Sequence, residues 1–365
     1  MRKAGILMHI TSLPGPYGVG TMGKSAYAFL DFLHKSGQQT WQMLPLGPTG
    51  YGDSPYQSCS AYAGNPYLID LDTLVRQHLL TEEEVSSVDW GHDETQVDFG
   101  KLYNGRTPIL KLAYSRFRND RALNAFIKRN TQWLPDFTLY MALKERHGFA
   151  PWFEWEEELK FREPQVLKEA ARELEEEIRF YSFVQYEFYK QWDALRKKAK
   201  ALSIELIGDV PIYVPYDSVE VWKNPELFQL DEDLTPTAVA GCPPDAFTAD
   251  GQLWGNPLYR WDAMEEQGYR WWLDRLGSSG KLFDVVRLDH FRGFEAYWSV
   301  PYGDETARNG HWVKGPGMSF VNALKKGLPQ LDFVAEDLGF LTEEVLQLRD
   351  DSGYPGMKVL EFAFD

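Results

Sequence analysis

Three times in this chain a short apolar run stops on a carboxylate and gives way to a loop, and that recurrence narrows the folds open to it. The runs are Ile204-Glu205-Leu206-Ile207-Gly208-Asp209, Val285-Val286-Arg287-Leu288-Asp289 and Leu331-Asp332-Phe333-Val334-Ala335-Glu336. Around the second, Phe283, Val285 and the aliphatic part of Arg287 share one face, while Asp284, Val286 and Leu288 share the other. A segment nearly apolar on both faces reads as a buried parallel strand. Parallel α/β folds deliver acid and base groups to their catalytic face in this way.

Arg287 and Asp289 are two residues apart, so both side chains leave the same face and meet at the strand's end. A guanidinium beside a carboxylate favours the ionised form, the state a nucleophile needs, which makes Asp289 the candidate nucleophile. Glu336 closes its run at an apolar edge, where burial raises a carboxyl toward the range of a usable acid. It is the candidate proton donor. The competing assignment is structural: an Arg287–Asp289 ion pair, with Glu336 capping a helix that begins near Thr342. Asp209, at a third strand end, favours the catalytic assignment, because the fold that repeats strand, carboxylate and loop at one rim is the (β/α)₈ or TIM barrel. Candidate strands lie near residues 5–10, 39–46, 204–210, 284–289, 332–336 and 357–364, about six of the eight such a barrel needs.

Residues 1–50 read as a barrel start of two strands around a helix, since Ala26, Phe29, Leu30 and Leu33 fall at i, i+3, i+4 and i+7. Residues 51–200 form an inserted helical subdomain, with a stripe of Ile178, Tyr181, Val184, Phe188, Trp192 and Leu195. The barrel resumes over 201–365, interrupted at 211–275 by an insertion whose Pro243-Pro244 pair and glycines suggest a semi-rigid lid. His9, at the end of the first strand, reads as a satisfied core histidine.

A formal charge of −16 repels phosphate backbones and anionic membranes, so nucleic acid and membranes are not expected partners. A neutral polymer is compatible, and 13 Trp with 19 Tyr supply rings on which apolar sugar faces stack. Two cysteines, Cys59 and Cys242, make neither a disulfide framework nor a metal spacing. With no P-loop, dinucleotide fingerprint or His/Cys cluster, no cofactor or metal is expected. No apolar run reaches the roughly 18 residues of a membrane span, and the first ten residues lack a signal-peptide core. A cytoplasmic location is expected.

Several long motifs carry a resemblance: HITSLPGPYGVGTMG (9–23), WQMLPLGPTGYGDSPYQS (41–58), SAYAGNPYLIDL (60–71), GDVPIYVPYDSVEVW (208–222), GCPPDAFTADGQLWGNPLYRWD (241–262), VVRLDHFRGFEAYW (285–298) and VAEDLG (334–339). Together they resemble the 4-α-glucanotransferases called amylomaltase or disproportionating enzyme, glycoside hydrolase family 77. The resemblance implies a retaining transferase on α-1,4-glucans and maltooligosaccharides. In it Asp289 is the glycosyl-accepting nucleophile and Glu336 the general acid/base, with Arg287 and Asp209 in the donor-sugar subsite. Gln252 and Trp254 match sugar-contacting positions of a loop over the sugar channel, and Tyr51, Ser54, Tyr56 and Gln57 match residues near that channel. His290 and Asp365 join the substrate-binding set.

One departure is large. The family carries a third essential carboxylate, in a His-Asp pair after a later strand, and this sequence reaches Asp365 before any such segment. The chain is therefore read as cut short, with an open sheet edge and no turnover if the molecule ends there. An α-glucan hydrolase with the same carboxylates and an inert glucan-binding protein remain the alternatives. For a retaining enzyme the two carboxyl groups are expected about 5 to 5.5 Å apart.

Overall fold

The stripe at Ala26, Phe29, Leu30 and Leu33 does form a helix, α1 (Lys24–Lys35), and it buries Ala26, Leu30 and Leu33 completely. A computed structural model describes residues 3–364 of the chain apart from 51, 92, 94, 246, 247 and 340. They fall into two compact units, Met1–Leu206 and Ile207–Asp365. In the first, α1 connects β1 (Gly5–Leu7) to a parallel partner, β2 (Thr40–Gln42), with Gly5 opposite Thr40. A Cβ on Gly5 would lie 1.7 Å from Thr40 Oγ1, so glycine is what lets the two strands approach. Phe29 completes the stripe by packing edge-on against buried Trp41, ring centroids 5.0 Å apart.

The helices α2 (Phe99–Arg116), α3 (Leu134–Arg146) and α4 (Glu175–Ala201) make up much of the remainder of this unit. Tyr181, Val184, Phe188, Trp192 and Leu195 on α4 are buried, each large apolar side chain contributing about 1.5–3 kcal/mol. Two glutamines on the same helix satisfy loop backbone that would otherwise be buried unpaired. Gln185 accepts from Gly64 N (2.8 Å) and donates to Gly64 O (3.0 Å), while Gln191 does the same for Asp70 at 2.7 and 3.3 Å. His9 is buried as expected, but its Nδ1 has no hydrogen-bond partner among the described residues, and burial pushes its pKa down to about 4. It is a core histidine held neutral rather than a satisfied one.

β3 (Glu205–Val210) carries the chain into the second unit, where Ile207–Val210 pair in parallel with β6 (Val285–Leu288). β6 in turn pairs in parallel with β9 (Asp332–Ala335), with Leu288 opposite Ala335. The helices α5 (Arg270–Leu282), α6 (Gly317–Gly327) and α7 (Glu343–Ser352) accompany these strands. Gly208 sits under the Phe283 ring, where an added Cβ would approach within 2.1 Å.

A second sheet was not expected from the sequence. β4 (Ala238–Cys242), β5 (Gln252–Pro257), β7 (Ala296–Pro301) and β8 (His311–Lys314) form an antiparallel sheet in the order β5-β4-β7-β8. Part of the presumed lid, residues 238–257, is thus a hairpin, and Val239, Val300 and Ala307 with Trp298 give the sheet its own small core. The segment 357–364, read as a strand, contains a 3₁₀ turn at Leu360–Ala363 instead. Ala335 N donates to Pro355 O (2.9 Å), but no ladder follows among the described residues. Without successive cross-strand bonds, an apolar run does not hold an extended form.

Candidate active site

The ends of β3, β6 and β9 bring their acidic residues together because the strands are parallel and in register. Asp289 N donates to Val210 O (3.1 Å) and Glu336 N to Leu288 O (3.0 Å), extending the ladders one step beyond the strands. Arg287 Nη1 then donates to both Asp209 Oδ1 and Asp289 Oδ1, each at 2.7 Å. The Asp209 side chain is 2% exposed and that of Asp289 26%, so one carboxylate is sealed in while the other remains accessible. Burial opposes the charge on Arg287, but the two carboxylates override it and hold its pKa above the ordinary arginine value. The same-face spacing of Arg287 and Asp289 is realised.

Glu336 does not cap the helix beginning at Glu343. Its Oε2 accepts from His290 N and its Oε1 from Leu338 N, both at 2.8 Å, and Phe291 N donates to its carbonyl at 3.0 Å. Burial raises the pKa of its carboxyl; the Leu338 amide opposes this, the Asp289 charge adds to it, and Arg287 and the His290 amide oppose it. The backbone of His290 is left-handed (φ 51, ψ 48), a conformation that costs most residues roughly 1–2 kcal/mol. Burial, with help from Arg292, pushes its imidazole down to about pKa 3, so the ring is neutral.

Trp254 meets His290 edge to face, centroids 4.9 Å apart, and its Nε1 donates to Gln252 Oε1 (3.1 Å). The hairpin thereby sets an aromatic side chain and an exposed amide beside the carboxylates. Cys242, at the end of β4, is raised to about pKa 12 by burial; Arg292 opposes the shift, and Asp245, Glu336 and Asp289 add to it.

In the first unit, Ser54 and Tyr56 occupy a turn: Tyr56 N donates to Ser54 Oγ (3.3 Å) and Gln57 N to Ser54 O (3.1 Å). Tyr51 and Asp365 lie outside the described residues.

A family profile described as 4-alpha-glucanotransferase matches residues 8–365. The chain belongs to the 4-alpha-glucanotransferase family. It is 49% identical to the 4-alpha-glucanotransferase of Clostridium butyricum over 98% of this chain and 74% of that protein. It is 51% identical to the one from Thermus thermophilus over 100% of this chain and 73% of that protein. Among solved structures, the amylomaltase of Streptococcus agalactiae in complex with acarbose superposes with a TM-score of 0.97 at 44% identity, covering all of this chain and 74% of that one. The Corynebacterium glutamicum amylomaltase, 18% identical over 97% of this chain and 50% of its own, shares the fold at a TM-score of 0.77. The fold of this 4-alpha-glucanotransferase family member is therefore the α/β barrel of TIM type with large insertions between strands.

Two side chains at the site escaped the sequence reading. Asp337, 1% exposed, receives Arg349 Nη1 (2.6 Å) and Met357 N (2.7 Å), and Met357 Sδ accepts from Arg287 Nε (3.3 Å). Alternation past the end of β9 was the available signal, since a residue following Glu336 turns to the other side.

Proposed function

We propose that the cluster at the ends of β3, β6 and β9 is the catalytic centre of a 4-α-glucanotransferase that moves α-1,4-glucan segments to the 4-hydroxyl of another glucan. Glu336 protonates the glycosidic oxygen while Asp289 attacks the anomeric carbon, giving a covalent glucosyl-aspartate; Glu336 then removes the proton of the incoming hydroxyl. The observation that carries this reading is the division of labour between neighbouring strands. Asp289 is tied to a cation, whereas Glu336 is partly buried and raised in pKa. One carboxylate suited to attack beside one suited to proton transfer is the pairing double displacement needs.

Arg287, backed by the sealed-in Asp209, holds the nucleophile beneath the donor-sugar subsite. Trp254, Gln252 and His290 line the approach, and Ser54, Tyr56, Tyr51 and Asp365 complete the sugar-binding set. Trp254 supplies an apolar ring face and Gln252 an amide for sugar hydroxyls. The substrates are neutral maltooligosaccharides and longer α-1,4-glucans. The domain reading is a barrel start at 1–50, a helical insertion over 51–200 and a barrel continuation over 201–365. The setting is read as cytoplasmic; no described helix is long and apolar enough to cross a membrane.

The test is incubation with maltotriose. Longer and shorter oligomers at constant reducing ends are expected, whereas a rise in reducing ends would indicate hydrolysis. Asp289→Asn should lower turnover by about 10⁴-fold or more while binding maltooligosaccharide. Retained turnover would remove Asp289 from its role.

A further inference from the structure

Arg275 is a buried cation that the mechanism does not use. It projects from α5, the helix that leads into β6, and is 3% exposed. Among the described residues it forms no ion pair. Its Nη2 donates to Pro211 O (2.7 Å) and its Nη1 to Ile212 O (3.3 Å), with Tyr259 Oη at 3.5 Å from Nη1. Tyr259 Oη donates in turn to Ile212 O (2.7 Å). The guanidinium lies 4.9 Å from the Trp272 ring centroid and 5.4 Å from that of Trp271.

A guanidinium buried without a carboxylate is costly, and an apolar side chain would fill the same space more cheaply. What only the planar fork supplies is a simultaneous grip on two consecutive carbonyls. Pro211 and Ile212 directly follow β3. One residue earlier, Val210 O accepts from Asp289 N, and two residues earlier Asp209 shares Arg287 with Asp289. Arg275 thus ties the helix that feeds β6 to the strand end against which the β6 carboxylate is registered.

We propose that Arg275 is a positioning residue for the transfer reaction, fixing the Pro211–Ile212 carbonyls so that the end of β3 holds Asp289 in its attacking position. The proposal rests on the assignment of Asp289 as nucleophile. A displacement of about 1 Å at such a group costs on the order of 100-fold in rate. Arg275→Gln in the full-length enzyme is therefore expected to lower kcat per folded molecule by about 30- to 100-fold, with KM changed less than about 3-fold. Arg275→Lys, which keeps the charge but loses the fork, should recover only part of the loss. Val300→Ala, in the core of the second sheet, supplies a destabilised variant whose kcat is unchanged.

An unchanged kcat in Arg275→Gln, or a raised KM at constant kcat, overturns the proposal. Should that variant fail to fold, Tyr259→Phe removes only the hydroxyl that shares Ile212 O. A fall in kcat of about 3- to 10-fold at constant KM supports the proposal, and no fall overturns it. Asp289→Asn separates the two failures. If it retains turnover, the nucleophile assignment falls and the proposal with it. If it is dead while Arg275→Gln is fully active, only the proposal falls.

Discussion

Arg287 and Arg106 are both largely buried guanidiniums, one at the strand ends of the second unit and one among the helices of the first, and their surroundings are opposite in kind. Arg287 is bracketed by Asp209 and Asp289, which hold its pKa above the ordinary value against the effect of burial. Arg106, 1% exposed, donates to Ile69 O (3.1 Å) and lies over the Trp90 ring at 5.2 Å, while its Nε and Nη2 find no partner among the described residues. Burial pushes it down to about pKa 10, with Tyr67, Asp70 and Tyr17 acting in the other direction. At the strand ends, partners are placed to preserve charge. In the helical region a charge is tolerated for the shape that carries it.

The sharpest way to break this contrast is to remove each cation in turn. Arg287→Met leaves buried Asp209 without its cation and frees Asp289, so a loss of about 3–5 kcal/mol in urea unfolding is expected, with activity falling at least about 1000-fold. Stability close to wild type would show that Asp209 has no need of the guanidinium. A smaller effect is expected at His290, whose left-handed backbone aims its N–H at Glu336. Val there should cost about 1–2 kcal/mol in thermal or urea unfolding, and Asn, which tolerates this conformation, markedly less.

Arg106→Met should be smaller still and opposite in sign, raising stability by up to about 1 kcal/mol at unchanged activity, because it removes buried donors that no described residue satisfies. Destabilisation of several kcal/mol would erase the distinction between the two arginines. The smallest effect is on the pH dependence of stability. The carboxyl of Glu336 is raised on folding, so its contribution is fully present below the unfolded value and is lost as pH rises through the folded one. The stability of wild type relative to Glu336→Gln should therefore fall in paired melts as pH rises above the ordinary carboxyl range. A flat difference would mean that burial does not shift the group.

Much of the site was legible because strand alternation and register are local rules. Arg287 and Asp289 at i and i+2 had to share a face, and parallel strands with carboxylates at their ends had to present them at one edge. Five candidate strands proved to be strands, though shorter than their apolar runs: the one proposed over 5–10 ends at Leu7, and Ile10–Ser12 turn into a 3₁₀ helix. The second sheet was hidden because Ala238–Cys242 has no alternation of apolar and polar residues and contains a glycine. At Gly241 an added Cβ would fall 2.4 Å from Gln252 O, so this glycine permits the hairpin. The segment at 357–364 misled for the reverse reason, since its apolar residues are strand-like but no ladder holds them. The long-range contacts of Met357 and Arg275 with the site left no local pattern to read.

The two acids that follow β9 have divergent surroundings: Glu336 feels the charge of Asp289 and accepts from the His290 and Leu338 amides, while Asp337 is sealed beneath Arg349 and the Met357 amide. Because consecutive side chains exit on opposite sides, inserting or deleting a single residue in Asp332–Ala335 would exchange them, handing the proposed proton-transfer post to an acid one methylene shorter and burying the longer one. The spacing of that four-residue strand is consequently a harder constraint on divergence than the apolar identity of any residue within it.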